Sequence, residues 1–440
     1  MGSKRTAPGP QQQRLSAYLE GLAQAAGHAD RTEPLKSYCK GLLLPGERKS
    51  VEPMAALLAP DVSKVDQLRQ SLHHLVAAAP WSDEAVLAEV RKYALAAMRK
   101  QGQVIAWIVD DTGFPKKGKH SVGVARQYCG QVGKQENCRV AVSLSATTWN
   151  TSLPVAYQLY LPQEWASDKQ RREKTGVPEA VEFQTKPQIA LEQIGRAVDA
   201  GIPRGVVLAD AGYGIDTKFR NGVTQLGLSY VMGVQSSVTV WEPGQQPLPP
   251  KPWSGHGRPP RLLRRDRNHK PVSVKQLALA LPPSDFKQIA WRAGAQQKLQ
   301  SRFAAVRVRP AHRDDWKAEP HPEEWLLIEW PKDEAEPTKY WLSTLPANTR
   351  LKDLVKMAKH RWIVERDYEE LKQELGLGHY EGRSWRGFHH HATLCMAAYG
   401  FLVAERSRFS PSARVGNLEL SQPQLPPDFR PRGSRPRRAA

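Results

Sequence analysis

Residues 104–109 (Val-Ile-Ala-Trp-Ile-Val) form an unbroken apolar run that stops on two acids, Asp110 and Asp111. A run with no polar alternation reads as a strand buried on both faces. Residues 205–209 read the same way and stop on a third acid, Asp210. Both strands are expected to end on these acids, at the strand ends of one sheet, where the functional groups of open α/β sheets collect. Each aspartate alone could equally be a cap or turn residue.

The rest of the chain is read around these runs. Residues 1–100 read as a helical module whose clearest helix starts at the N-cap Ser82, carries Val86, Leu87, Val90, Tyr93, Ala94, Ala97 and Met98 on helical spacing, and stops at Gly102. A basic loop at 45–49 holds Arg48 and Lys49, read as solvated ahead of a DNA contact. Strands are expected at 121–128, 139–148 and 153–161, a helix at 186–200, the strand 205–209, a weaker helix at 217–226 and a strand at 230–234. Several neighbouring strands followed by alternating helix and strand make an α/β fold, a mixed sheet with helices packed on it, in the element order of a ribonuclease-H-like domain. The closing helix of such a domain does not follow at once. Residues 235–347 are rich in Pro and Trp, with strand-like pieces at 303–308, 324–330 and 340–345, and read as a β-rich insertion. A long helix over 351–375, stopped by Gly376 and Gly378, and a shorter helical region at 389–406 then complete the core. The expected division is a helical N-terminal module (1–100), the first part of the core (101–234), the insertion (235–347), the closing helices (348–409) and a disordered, basic, Pro-rich tail (410–440).

Lys and Arg number 64 against 44 Asp and Glu in 440 residues, a formal charge of +20. That balance favours a polyanion such as nucleic acid over an acidic metabolite. Four cysteines, Cys39, Cys129, Cys138 and Cys395, match no paired zinc spacing and are too few for a disulfide framework, so they read as reduced thiols. No apolar run approaches membrane-spanning length, and the polar start lacks the core of a signal peptide. The expectation is a cytoplasmic, nucleoid-associated protein.

Glu365 stands out on the long helix. At about 100° per residue, Leu351, Leu354, Ala358, Trp362 and Tyr368 share an arc, and Glu365, Arg361 and Lys372 fall within it. Charges on a buried-facing stripe are costly unless they pair with one another or meet metal or phosphate. One alternative is a structural ion-pair ladder, since Arg361 and Glu365 are four apart. Carboxylates converging from distant segments suit Mg²⁺ or Mn²⁺, hard cations that prefer oxygen and keep waters for substrate. Two such ions support in-line phosphodiester displacement.

Several segments then resemble a known family. Asp110-Asp-Thr-Gly-Phe-Pro-Lys-Lys-Gly-Lys-His-Ser-Val-Gly-Val-Ala-Arg-Gln-Tyr-Cys-Gly, Gly133-Lys-Gln-Glu-Asn-Cys and Leu208-Ala-Asp-Ala-Gly-Tyr-Gly resemble the DDE superfamily endonucleases of bacterial insertion sequences. Arg361-Trp-Ile-Val-Glu-Arg-Asp-Tyr-Glu-Glu-Leu-Lys resembles the C-terminal signature of cut-and-paste transposases. The resemblance runs from about residue 30 to 405. It implies a transposase that cleaves element ends and transfers the strand to target DNA, with Mg²⁺ or Mn²⁺ as cofactor and a homo-oligomer in the synaptic complex. It implies a catalytic, metal-holding triad of Asp110 or Asp111, Asp210 and Glu365, with Arg361 and Lys372 on phosphates. Asp111 is favoured over Asp110, because in similar transposases the catalytic Asp often directly precedes a Thr. Strand alternation allows only one of the two to reach the metals. The signature's Tyr position holds Ala358. A domesticated DNA-binding protein without catalysis and a stand-alone nuclease are the alternatives, and intact acids argue against the first.

Other signals carry less. The segment from Gly113 to Ser121 nearly matches a phosphate loop but has His120 where a hydroxyl is required, and strand follows where a helix N-terminus is needed. Lys116, Lys117 and Lys119 instead read as a DNA-facing loop. His389, His390 and His391 read as a solvated or DNA-proximal cluster, since adjacent helical residues diverge. In related transposases with such an insertion, an aromatic there stacks on a base flipped out at the element end.

Overall fold

The computed structural model describes residues 9–293 and 298–408. The tail expected over 410–440 lies outside the described residues. The chain opens with five helices, α1 (Pro10–Ala25), α2 (Thr32–Leu43), α3 (Val51–Leu58), α4 (Val65–Ala77) and α5 (Asp83–Met98). Ser82 caps α5 as expected, accepting from the Ala85 amide at 3.2 Å. Four strands follow, β1 (Ala106–Pro115), β2 (Ala125–Cys129), β3 (Lys134–Thr147) and β4 (Ser152–Leu159). After α6 (Gln163–Ala166), α7 (Lys169–Thr175) and α8 (Lys186–Asp199) come β5 (Val206–Ala209), α9 (Ala211–Gly214), α10 (Thr217–Gln225) and β6 (Tyr230–Val234). Next are β7 (Thr239–Trp241), β8 (Val272–Ser273), α11 (Val274–Ala280), β9 (Lys287–Ala293), β10 (Lys298–Pro310), β11 (Glu324–Glu329) and β12 (Lys339–Ser343). The chain closes with α12 (Leu351–Ala358), α13 (Trp362–Gln373) and α14 (Trp385–Arg406).

The strands join in one mixed sheet in the order β2-β3-β1-β5-β6-β12-β11-β10-β7-β8, with β4 on β3 and β9 on β10. Its first half carries the ribonuclease-H-like order. β1 pairs antiparallel with β3 and parallel with β5, and β5 runs parallel to β6. The strands from the β-rich stretch extend this same sheet, because β12 pairs antiparallel with β6. Trp107, Ile108, Val109, Val207, Leu208 and Ala209 are fully buried, as two-sided strands require.

Three expectations need correction. β1 does not stop at its acids: its pairing with β5 ends at Ile108, but the longer β3 keeps pairing to Pro115, with Asp110 opposite Ser143 and Asp111 opposite Val142. The long helix is broken. A 3-10 turn, Lys359–Arg361, separates α12 from α13, and the helix changes partners there: α12 packs on β6, β9 and β10, whereas α13 packs on β1 and β4. The tighter turn resets the helical phase between the two supports.

The third concerns the end of the chain. α14 is a 22-residue helix buried almost all round, threaded among α2, α4, α5 and β4. Its histidines are core residues and not a solvated cluster. His390 stacks on Trp81 with centroids 3.7 Å apart, and His391 bonds Tyr38 Oη and the Gly376 carbonyl, each at 2.9 Å. Burial pushes both imidazoles down to about 4, so they are neutral at ordinary pH. Of the basic loop only Lys49 turns inward, its ammonium donating to the Leu44 carbonyl; residues 45–48 are exposed as expected, with Arg48 pairing with Glu381 at the surface. All four cysteines are buried and free.

Candidate active site

Strand alternation sends Asp110 and Asp111 to opposite faces of β1, and their partners differ accordingly. Asp111 forms an ion pair with Lys186, the first residue of α8. Asp110 faces α13: its Oδ1 lies 3.2 Å from Arg361 Nη2 and accepts from the Asp111 amide at 2.9 Å. Asp210 joins Asp110 by register. The parallel ladder pairs Ala106 with Val206 and Ile108 with Leu208, an offset of 206 − 106 = 100 residues. Continued past the last ladder pair, that offset would set Asp210, the residue after β5, beside Asp110, and the charge of Asp210 is felt at Asp110.

The electrostatics agree with this placement. The Asp110 carboxyl is pushed up to about 6, mainly by burial; the charges of Asp111 and Asp210 add to the rise and Arg361 opposes it. Like charges crowded under a low-dielectric roof favour a cation between them.

Asp210 is held by the segment after its strand. It is the N-cap of α9, its Oδ1 accepting from the amides of Gly212 at 2.9 Å and Tyr213 at 3.3 Å. This one-turn helix lies hard against β6, for a β-carbon on Gly214 would stand 1.9 Å from the Gly233 carbonyl oxygen. The Gly212 and Gly214 of the sequence motif are thus a cap and a close approach that fix the carboxylate.

Glu365 lies in the first turn of α13 and is exposed, so the helix break moves it from the buried arc to the rim. It still shares a cavity of about 450 Å³ with Asp210 and Arg361. Trp291, Trp341 and Trp362 line the other side, and Arg292 stacks on Trp362 at 3.8 Å. Among the described residues no three His, Cys, Asp or Glu side chains stand close enough to enclose an ion. Arg361 is the charge that meets Asp110, and its Nε is buried with no hydrogen-bond partner among the described residues.

The lysines divide. Lys117 and Lys119 are exposed beside the end of β1. Lys116 is turned in, its Nζ donating to the Tyr380 carbonyl at 2.7 Å, and burial pushes it down to about 8. Lys372 is half-buried, donating to the Gly113 carbonyl at 2.9 Å and to Gln131 at 3.2 Å. Ala358, at the signature's Tyr position, is buried beside the cavity.

Two features were invisible to sequence reasoning. Lys186 carries no local mark of its pairing with Asp111, which spans 75 residues. Lys359, in the 3-10 turn, pairs with Glu329 of β11 beneath Trp291 and Trp341 and so ties the turn to the extended sheet.

Residues 21–298 match the model of a protein family described as DDE superfamily endonuclease. The match carries Asp110, Asp111 and Asp210 and ends ahead of Glu365. A stretch of 183 residues is 32% identical to a probable transposase for insertion sequence element IS701 from Microchaete diplosiphon. It covers 40% of this chain and 44% of that relative, under half of either.

Proposed function

The chain belongs to the DDE superfamily endonucleases, and from that membership we propose that it is a transposase that cuts DNA at insertion-sequence ends and joins the freed 3′ ends to target DNA. One observation carries the reading to these residues. Asp110 and Asp210, 100 residues apart, are brought near each other by the parallel pairing of β1 and β5; Arg361 of the 3-10 turn meets Asp110, and Arg361 and Glu365 of α13 share a cavity with Asp210.

Divalent metal chemistry is general in this superfamily, and carboxylate oxygens are the donors Mg²⁺ or Mn²⁺ prefers, although the acids as placed do not yet close around an ion. Asp110 and Asp210 would hold the ion, with Glu365 completing the site from the rim. The sequence favours Asp111; the register with Asp210 and the approach of Arg361 support Asp110 instead. When bound, such ions activate the attacking oxygen and stabilise the leaving one.

The chain's own residues supply the rest. The α9 amides fix the Asp210 carboxylate in one rotamer. Arg361 neutralises Asp110 and is the guanidinium best placed to take a phosphate that enters the cavity. Trp291 and Trp362, partly exposed in the cavity beside Asp210 and Glu365, would offer aromatic surface to a base unstacked at the element end. Lys117 and Lys119 would add phosphate contacts. The protein would act on DNA in the cytoplasm, as a homo-oligomer that pairs two ends.

The test is cleavage and strand transfer with labelled element-end DNA, a target plasmid and Mg²⁺. End-specific nicking and joined products are expected. Cleavage indifferent to end sequence would indicate a stand-alone nuclease, and end binding without cleavage a binding protein.

A further inference from the structure

We propose that the loop between β7 and β8 is a second DNA-binding surface, one that grips duplex DNA away from the acids by its phosphates. The proposal rests on duplex DNA being the substrate and adds a contact the active-site reading does not contain.

Residues 251–270 hold seven cations, Lys251, Arg258, Arg261, Arg264, Arg265, Arg267 and Lys270, against one acid, Asp266. Two of the seven anchor the loop. Arg265 pairs with the buried Asp314, and Arg264 donates to the Pro249 carbonyl at 3.1 Å. The other five, Lys251, Arg258, Arg261, Arg267 and Lys270, are exposed and make no ion pair or hydrogen bond among the described residues. An isolated run of like charges repels itself and costs stability unless a polyanion meets it.

The loop is also shaped. A bridge joins Leu248 and Arg264 through bonds of 2.9 and 3.0 Å, and His269 bonds the Gln246 carbonyl at 2.7 Å. At the tip, the Trp253 indole donates to the carbonyls of His256 and Gly257, both at 3.2 Å, around glycines with φ of +87° and +71°. Pro249, Pro250, Pro252, Pro259 and Pro260 stiffen the rest, so less entropy is lost when the cations meet a ligand. A pre-shaped, unpaired basic loop fits a phosphate backbone better than it fits a protein face, where cations would need matched acids.

The sheet gives its position. Five strand spacings separate β5, which leads to Asp210, from β7. At ~4.8 Å each this is roughly 24 Å, or about seven base pairs of duplex. The loop would therefore hold DNA flanking the cut.

The experiment measures binding of the full chain to long duplex DNA across salt concentrations, without metal, so that cleavage does not intervene. Wild type is compared with a variant in which Lys251, Arg258, Arg261, Arg267 and Lys270 are all replaced by Gln, and with one in which only the three arginines become Lys. Loss of phosphate contacts should flatten the salt slope by ~0.9 per contact, hence by about two or more for the Gln variant, with affinity falling at least about tenfold. The Arg→Lys variant should keep the wild-type slope. Equal slopes and affinities for wild type and the Gln variant, with circular dichroism unchanged, would overturn the proposal, as would a wild type that binds no duplex. Cleavage in Mg²⁺ is scored separately, so a chain that binds through this loop but does not cut would count against the nuclease reading alone.

Discussion

At the residue scale, two neighbouring acids face different partners. Asp110 and Asp111 are adjacent, yet one meets Arg361 and the other Lys186. Asp110→Asn should therefore lower Mg²⁺-dependent cleavage by on the order of a thousandfold, since metal-held charge stabilisation supplies several kcal/mol of the barrier. Asp111→Asn should cost far less, about tenfold or under, because it removes an ion pair across the sheet. Single-turnover rates of the two variants decide the matter, and a larger loss for Asp111→Asn would reverse the assignment. Sequence named this pair and, through the family resemblance, favoured Asp111: strand alternation says that one acid faces the site, but which one depends on where α13 lands. Lys116 shows the same limit. It reads as one of three exposed lysines, and only the arrival of Tyr380, 264 residues on, turns it inward.

At the element scale, α9 is the piece whose geometry is tightest. Gly214→Ala would force its helix off β6, at a cost of about 1–3 kcal/mol of stability from overpacking, and would move Asp210 with it. Urea denaturation and cleavage should both suffer; unchanged activity would mean that Asp210 is not held through this contact. The α14 histidines make a pH prediction. His391 sits near 4 when folded and about 6.5 when unfolded, so the unfolded chain binds more protons between those values and stability falls as pH falls through that window. The expected slope is about 1.4 kcal/mol per pH unit for one histidine. His391→Gln should lose that contribution, seen as a shallower pH dependence of the urea midpoint than wild type between about 6.5 and 4; parallel curves would contradict the assignment. Strands with strong apolar signals were legible almost to the residue, as for β6 and β11. The α12–α13 break was not, because nothing in the local periodicity shows that Lys359 will pair with Glu329 of β11.

At the scale of the whole molecule, the first and last described helices meet. The N-terminal helices close around α14, through Tyr18 to the Ala397 carbonyl at 2.8 Å and Arg14 to Glu405 at 2.8 Å. The strands after β6 continue the core sheet and supply the tryptophan wall of the cavity. Element types and order could be read from periodicity; this long-range joining could not, since β pairing between distant segments leaves no local pattern. Asp110, Asp210 and Glu365, brought from three parts of the chain, are proposed to form one metal-dependent nuclease centre. Single-turnover cleavage of element-end DNA in Mg²⁺ tests it most directly, with Asp110→Asn, Asp210→Asn and Glu365→Gln compared with wild type while DNA affinity is measured in parallel. Each variant should bind DNA nearly as well as wild type and cut it slower by on the order of a thousandfold; any one of the three cutting at the wild-type rate would contradict the account.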